Sequence, residues 1–156
     1  MRLTRFNQKA FTLAEILLVV GIMAVVIVGM GQLFIYTALQ AELAGNKSIA
    51  VTLAQSKIDE IRTHAYSAIP VNFGSGGTPG NVFSTPGLNN GVGLVRIDSS
   101  DPELLGIEVL VSWQDKYGRI MGEDLDMDGI LDSGEDTNGN SKLDSPVTLV
   151  TKFTRR

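Results

Sequence analysis

From Ile16 to Ala41 the chain carries no charged residue, and from Ile16 to Met30 it is apolar throughout if glycine is counted. About 20 such residues span the hydrocarbon core of a bilayer as a helix. In lipid the backbone must satisfy its own hydrogen bonds, so a lone apolar run has to be helical there. The first ten residues, MRLTRFNQKA, hold Arg2, Arg5 and Lys9 and no acid. That is the charge signature of a segment kept on the cytoplasmic side. An ordinary secretory signal is cut after its apolar core; this core is longer than such a signal needs and ends in no clear A-x-A site followed by a turn. The simplest reading is a single-pass anchor in the inner, cytoplasmic membrane, with the N-terminus inside and the remainder of the chain outside. Gly21, Gly29 and Gly31 fall within the run. Glycine weakens a helix by about 1 kcal/mol relative to alanine in water and permits close helix packing in membranes. Packing and a helix that loosens on leaving the bilayer both fit.

Glu15 argues for more than an anchor. It stands at the edge of the apolar run, where a carboxylate is costly; the bland account is an acid held at headgroup level. The residues Lys9-Ala10-Phe11-Thr12-Leu13-Ala14-Glu15, followed by Ile16-Leu17-Leu18, resemble the processing motif of type IV prepilins. The resemblance implies a leader of residues 1–10, removed by a membrane prepilin peptidase that cuts between Ala10 and Phe11 and methylates the new amine of Phe11. It also implies that Glu15 neutralises the N-terminal amine of a neighbouring pilin or pseudopilin subunit. The electrostatics agree, since a buried carboxylate and a buried ammonium each lower the other's penalty when paired. Ala10 departs from the glycine usual before the cut.

Residues 42–69 read as an amphipathic continuation of the helix. Leu43, Ala50, Leu53, Ala54, Ile58, Ile61 and Ala65 recur at three- and four-residue spacings, with Lys47, Gln55, Asp59, Glu60 and Arg62 mostly off that stripe. Together with residues 11–41 this predicts one unbroken helix of roughly 55 residues, ended by Pro70 and the glycines beyond it. The stretch LAQSKIDEIRTHAY resembles the end of the long helix in minor pilins and minor pseudopilins. His64, the only histidine, reads as a solvated helix residue.

Residues 70–156 form the predicted head. Val71 to Asn90 is dense in Gly, Pro, Ser, Thr and Asn and reads as a long loop. Three strands follow: Val92 to Asp98, Ile107 to Gln114 and Val147 to Thr154, with Asp98 to Glu103 supplying the first turn. Ile107, Val109, Val111 and Trp113 share one face; Glu108, Ser112 and Gln114 fall mostly on the other. The pair VSWQDKYGR and VTLVTKFTRR is similar to the last hairpin of minor pilin-like heads, with Trp113 as a core anchor. The expected class is α+β: a pilin-like long N-terminal helix packed on a small antiparallel meander.

The hairpin is interrupted by an acidic insertion, residues 122–146. Eight of the chain's 17 acids lie between Glu123 and Asp144, where Lys142 is the one base. Asp124, Asp126, Asp128, Asp132 and Glu135 occupy places one, three, five, nine and twelve of a twelve-residue calcium loop, with Gly129 at the sixth for the turn and Ile130 offering its carbonyl at the seventh. A weaker copy starts at once: Asp136, Asn138, Asn140 and Asp144 repeat places one, three, five and nine, but Ser141 replaces the turn glycine and no acid fills the twelfth place. The bland account is a solvated acidic loop, yet acid-rich loops rarely keep Gly129 at the sixth place and Leu131 and Leu143 at the eighth of each copy in this phase. The strand-like flanks resemble the loop-only calcium repeats of secreted proteins more than a helix-loop-helix sensor. The expectation is Ca²⁺ in the first loop, with a second ion in the second loop left open.

Cysteine is absent, which excludes disulfide staples and thiol catalysis. No basic, aromatic-interleaved patch suggests nucleic acid. No nucleophile and base stand in an evident set, and no small-molecule substrate is implied. The expectation is a non-enzymatic, structural minor subunit of a type IV pilus or a type II secretion pseudopilus. A calcium-dependent surface adhesin on a pilin-like anchor is the alternative.

Overall fold

A computed structural model describes residues 12–155. The chain falls into two compact units, divided between Glu42 and Leu43. A single helix, α1 (Leu13–Arg62, 50 residues), contributes to both.

In the first unit α1 is apolar on every side. Large side chains from Leu13 to Tyr36 are exposed in turn, among them Val25, Ile27 and Phe34. The most apolar 18-residue window of α1 has a mean hydropathy of 2.7 and none of it is buried, so the helix is long and apolar enough to cross a membrane. Such a helix has no stripe to turn inward and is at home only where all its surroundings are apolar.

In the second unit the same helix has one buried face. Ala50, Ala54, Ile58 and Ile61 pack into a core with Ile107, Val109, Val111 and Trp113 of the sheet. Ala50 and Ala54, four residues apart, lie on the same face of the helix and are fully buried. The helix ends at Arg62, short of the expected boundary. The Thr63 hydroxyl donates to the Glu60 carbonyl at 2.7 Å, and the His64 N–H reaches back to the Ile61 carbonyl at 3.1 Å in a tightened last turn. Ala65 is extended rather than helical and is exposed rather than part of the buried stripe. A 3-10 turn at Tyr66–Ala68 leads into a second short helix, α2 (Ile69–Phe73), with Pro70 in its first turn. Pro70 therefore opens a helix instead of closing one, as its fixed φ and missing N–H allow. Ile69 and Phe73 are sealed in the core.

The sheet has five antiparallel strands: β1 (Val82–Ser84), β2 (Asn89–Asp101), β3 (Leu104–Gln114), β4 (Ile120–Met121) and β5 (Val147–Thr154). β1 pairs with β2 and β2 with β3. The far edge of β3 carries β5 along Leu104 to Val111 and β4 at Trp113 and Gln114. This is a long N-terminal apolar helix packed on an antiparallel sheet, a pilin-like architecture, as the sequence implies. β1 and β4 were not expected. β1 lies inside the stretch read as a loop, and it pairs because Gly93 leaves room for the Phe83 ring, which a Cβ there would strike.

The order is not a simple meander. Met121 lies opposite Trp113, and Val147 lies opposite Val111. β4 and β5 are thus two parts of one return strand, and residues 122–146 leave it and rejoin it two positions along β3. The excursion folds back on the sheet. Leu143 joins Leu94 and Leu110 in a second small core, on the face of β3 opposite Ile107 and Trp113 by strand alternation. Ser112, also on that face, is buried too.

Candidate functional site

Among the described residues, two places that the sequence singles out hold acids in an organised way. The first is the start of α1. Thr12 accepts a hydrogen bond from the Glu15 N–H at its hydroxyl (3.3 Å), while Glu15 Oε2 accepts from the Thr12 N–H (3.1 Å) and from the Thr12 hydroxyl (3.2 Å). This reciprocal arrangement is a capping box, Thr-x-x-Glu. Its sequence signal, Thr12 followed three residues later by Glu15, lies within the processing motif. Glu15 thereby has a partner in its own chain. Both bonds from Thr12 land on Oε2; Oε1 takes neither. Ala10 and Phe11, the expected processing residues, lie outside the described residues.

The second place is the insertion. Asp124, Asp126 and Asp128 bring one carboxylate oxygen each to within 4.8 Å of one another. Local hydrogen bonds set them there. Asp124 accepts from the Asp128 N–H (3.2 Å) and the Gly129 N–H (2.9 Å). Asp126 accepts from the Asp128 N–H at 3.3 Å, and Asp128 from the Ile130 N–H at 2.7 Å. Asp124 is almost wholly buried, with Asp126 and Asp128 exposed. Gly129 has φ +79° and sits against β1, where an added Cβ would lie 2.7 Å from Val82 Cγ2. The sixth place thus needs glycine both for its backbone angle and for its contact.

Asp132 and Glu135 stand outside that triad. Glu135 is buried and braces the loop from within: Oε1 accepts from the Leu125 N–H (2.7 Å) and Oε2 from the Asp132 N–H (2.9 Å). The Asp132 N–H, helped by those of Leu125 and Asp126, holds the Glu135 carboxyl below its ordinary range against the opposing effect of burial. Burial pushes Asp124 the other way, above its ordinary range, and the nearby Glu135 charge adds to that; N–H groups of Gly129, Met127 and Asp128 oppose it. The Ile130 side chain points to solvent.

The second loop repeats the first at an offset of twelve. Asp136 accepts from the Asn140 N–H (3.0 Å) and the Ser141 N–H (2.8 Å), as Asp124 does from Asp128 and Gly129. Asn138 accepts from the Asn140 N–H and Asn140 from the Lys142 N–H. The left-handed positions repeat as well: Met127 and Gly129 in the first loop, Gly139 and Ser141 in the second. Ser141 adopts the turn conformation despite its side chain, a strain of order 1 kcal/mol. Asp144 Oδ2 accepts from the side-chain amides of Asn138 (2.7 Å) and Asn140 (2.8 Å), which gathers three of the expected donors.

The insertion is fixed to the sheet by Arg96, whose Nε meets Glu108 at 2.9 Å and whose Nη1 donates to the Leu143 carbonyl at 2.8 Å. At the stem the Ser145 hydroxyl donates to the Val111 carbonyl. The donors in both loops are carboxylate, amide and carbonyl oxygens, the set that hard divalent cations prefer over thiolate or imidazole. The Asp124, Asp126 and Asp128 cluster could hold a metal ion, and its geometry fits one. His64 is not a solvated helix residue. It lies in the turn after α1, edge-on to the Phe73 ring at 5.0 Å and 3.4 Å from the Asn72 amide.

No family model matches the chain, and no curated protein or solved structure gives a significant match to it.

Proposed function

We propose that the chain is a structural pilin-type subunit, a minor component of a type IV pilus or a type II secretion pseudopilus. In this reading a prepilin peptidase cuts before Phe11, α1 anchors the subunit in the cytoplasmic membrane, and the head stands outside it, stabilised by calcium. The observation that carries the reading is the first half of α1, apolar all round and starting at a single acid. Glu15 would serve twice. Its Oε2 caps its own helix through Thr12, and a carboxylate has lone pairs left for a second donor. The amine of a neighbouring subunit's Phe11 is such a donor, and pairing the two charges reduces the cost of holding each in an apolar filament core. Residues beyond the membrane half then build the head, and its chemistry is that of a scaffold.

Calcium would be held by Asp124, Asp126 and Asp128, with Ile130, Asp132 and Glu135 completing the first loop; Asp136, Asn138, Asn140 and Asp144 offer a second, weaker set. Outside a cell an affinity of about 10⁻⁴ to 10⁻³ M suffices to fill such a site. The ion would draw together carboxylates that otherwise repel, and so close the excursion between β4 and β5.

The test is the mass of the mature N-terminus after extraction from membranes. A chain starting at N-methylated Phe11 is expected. A chain starting at Met1 removes the pilin reading and leaves a tethered head.

A further inference from the structure

Glu123 belongs to neither twelve-residue register. It stands one residue before Asp124, yet its N–H and both of its carboxylate oxygens reach the second loop. Its N–H donates to the Asp144 carbonyl at 2.9 Å. Its Oε2 accepts from the Asp144 N–H at 3.0 Å, and its Oε1 from the Thr137 hydroxyl. Asp144 and Thr137 are the ninth and second residues of the second loop. Asp124, joined to Glu123 through the chain, accepts the N–H groups that shape the first loop. A path of hydrogen bonds and one peptide link therefore runs from Thr137 and Asp144 through Glu123 to Asp124, Asp128 and Gly129.

We infer that Glu123 is a positioning residue that clasps the two acidic loops into one cation-responsive unit. The inference rests on the calcium reading above. With the clasp closed, Asp124 is presented in its inward orientation before an ion arrives, and tightening of the first loop is felt at Asp144 in the second. Linkage makes the effect reciprocal: an ion that favours the closed clasp is itself favoured by it. Groups that orient metal ligands without touching the metal typically change affinity by about 10- to 100-fold when removed.

The test is calorimetric titration of calcium alone into the full chain in detergent, with melting of the head followed in calcium and in chelator. Glu123→Ala is expected to weaken calcium binding about tenfold and to shrink the calcium-induced rise in melting temperature. Thr137→Val changes no charge and alters an exposed residue, so it keeps the fold; it should weaken binding about threefold, the worth of one ordinary hydrogen bond. The double variant should bind no more weakly than Glu123→Ala, because the two residues share one interaction. If both single variants bind calcium as the wild type does, the inference is overturned and the calcium reading stands. If Thr137→Val has no effect while Glu123→Gln equals Glu123→Ala, the residue acts by charge alone and the clasp is wrong. A wild-type chain that binds no calcium removes the calcium reading, and the clasp falls with it.

Discussion

The two halves of α1 solve opposite problems with one backbone geometry. Up to Tyr36 large apolar side chains face outward all round the helix. From Ala50 to Ile61 four residues on one face are buried, and most of the residues between them are polar. If the first half spans a membrane, as proposed, the difference lies in solvent and not in helix propensity. A half that meets lipid needs no stripe, whereas a half that meets a sheet on one side and water on the other needs a narrow one. The lesson extends to the ends. The N-terminus is closed by its own side chains in a Thr12 and Glu15 box, while the C-terminus is closed by Thr63 and then bent into α2.

The comparison can be broken most forcefully in the head. Trp113→Ala removes the largest buried side chain facing the helix core and should cost about 3–5 kcal/mol, read as a drop in the head's chemical or thermal midpoint. Membrane association should be untouched, because the first half of α1 does not depend on that core. Val25→Arg should do the converse. Val25 is 74% exposed, and a charge near the centre of a membrane helix costs about 2.5–3.5 kcal/mol. Membrane extraction should show lost insertion with an unchanged head melt.

Calcium sharpens the picture within the head. At a hundredfold excess over its dissociation constant the ion should add about 2.7 kcal/mol, and chelator should remove it. Asp124→Asn should abolish the shift; equal melts with and without calcium in the wild type would argue against an ion altogether. Thr12→Ala should cost the start of α1 about 1 kcal/mol, seen as faster amide exchange in its first turn alone.

The smallest effect is one of pH. Asp115 is buried in the turn from β3 to β4, and the Arg119 N–H foremost, with the Tyr117 N–H and the Arg119 side chain, holds its carboxyl below the ordinary 3.8, against burial. The stabilisation it gives is complete above pH 3.8 and is lost as pH falls through its lower folded value. Asp115→Asn should flatten that part of the acid melt.

Much of this fold was legible in the sequence where a period had physical force. β5 runs from Val147 to Thr154 as the alternation reads, and the buried face of β3 follows Ile107, Val109, Val111 and Trp113. The twelve-residue period of the insertion reappears as a period of hydrogen bonds and of left-handed backbone. What stayed hidden depends on contacts remote in sequence. β1 exists because Phe83 lies over Gly93. Leu143 reads as the eighth residue of a loop, and only its place against Leu94 and Leu110 makes it core. Read from the sequence, the helix ends at Pro70 because proline is a strong stop, whereas α1 is closed at Thr63 by a side chain too common to stand out. Glu123 carries no signal of its own among so many acids.

The most direct measurement is incorporation of Glu15→Gln into filaments by the assembling cell. Glutamine serves in a capping box as glutamate does, so the start of α1 keeps its shape and only the charge is removed. The account predicts a subunit that is stable in the membrane and absent from the polymer. A Glu15→Gln chain that matures and polymerises like the wild type would contradict it and leave Glu15 as a helix cap.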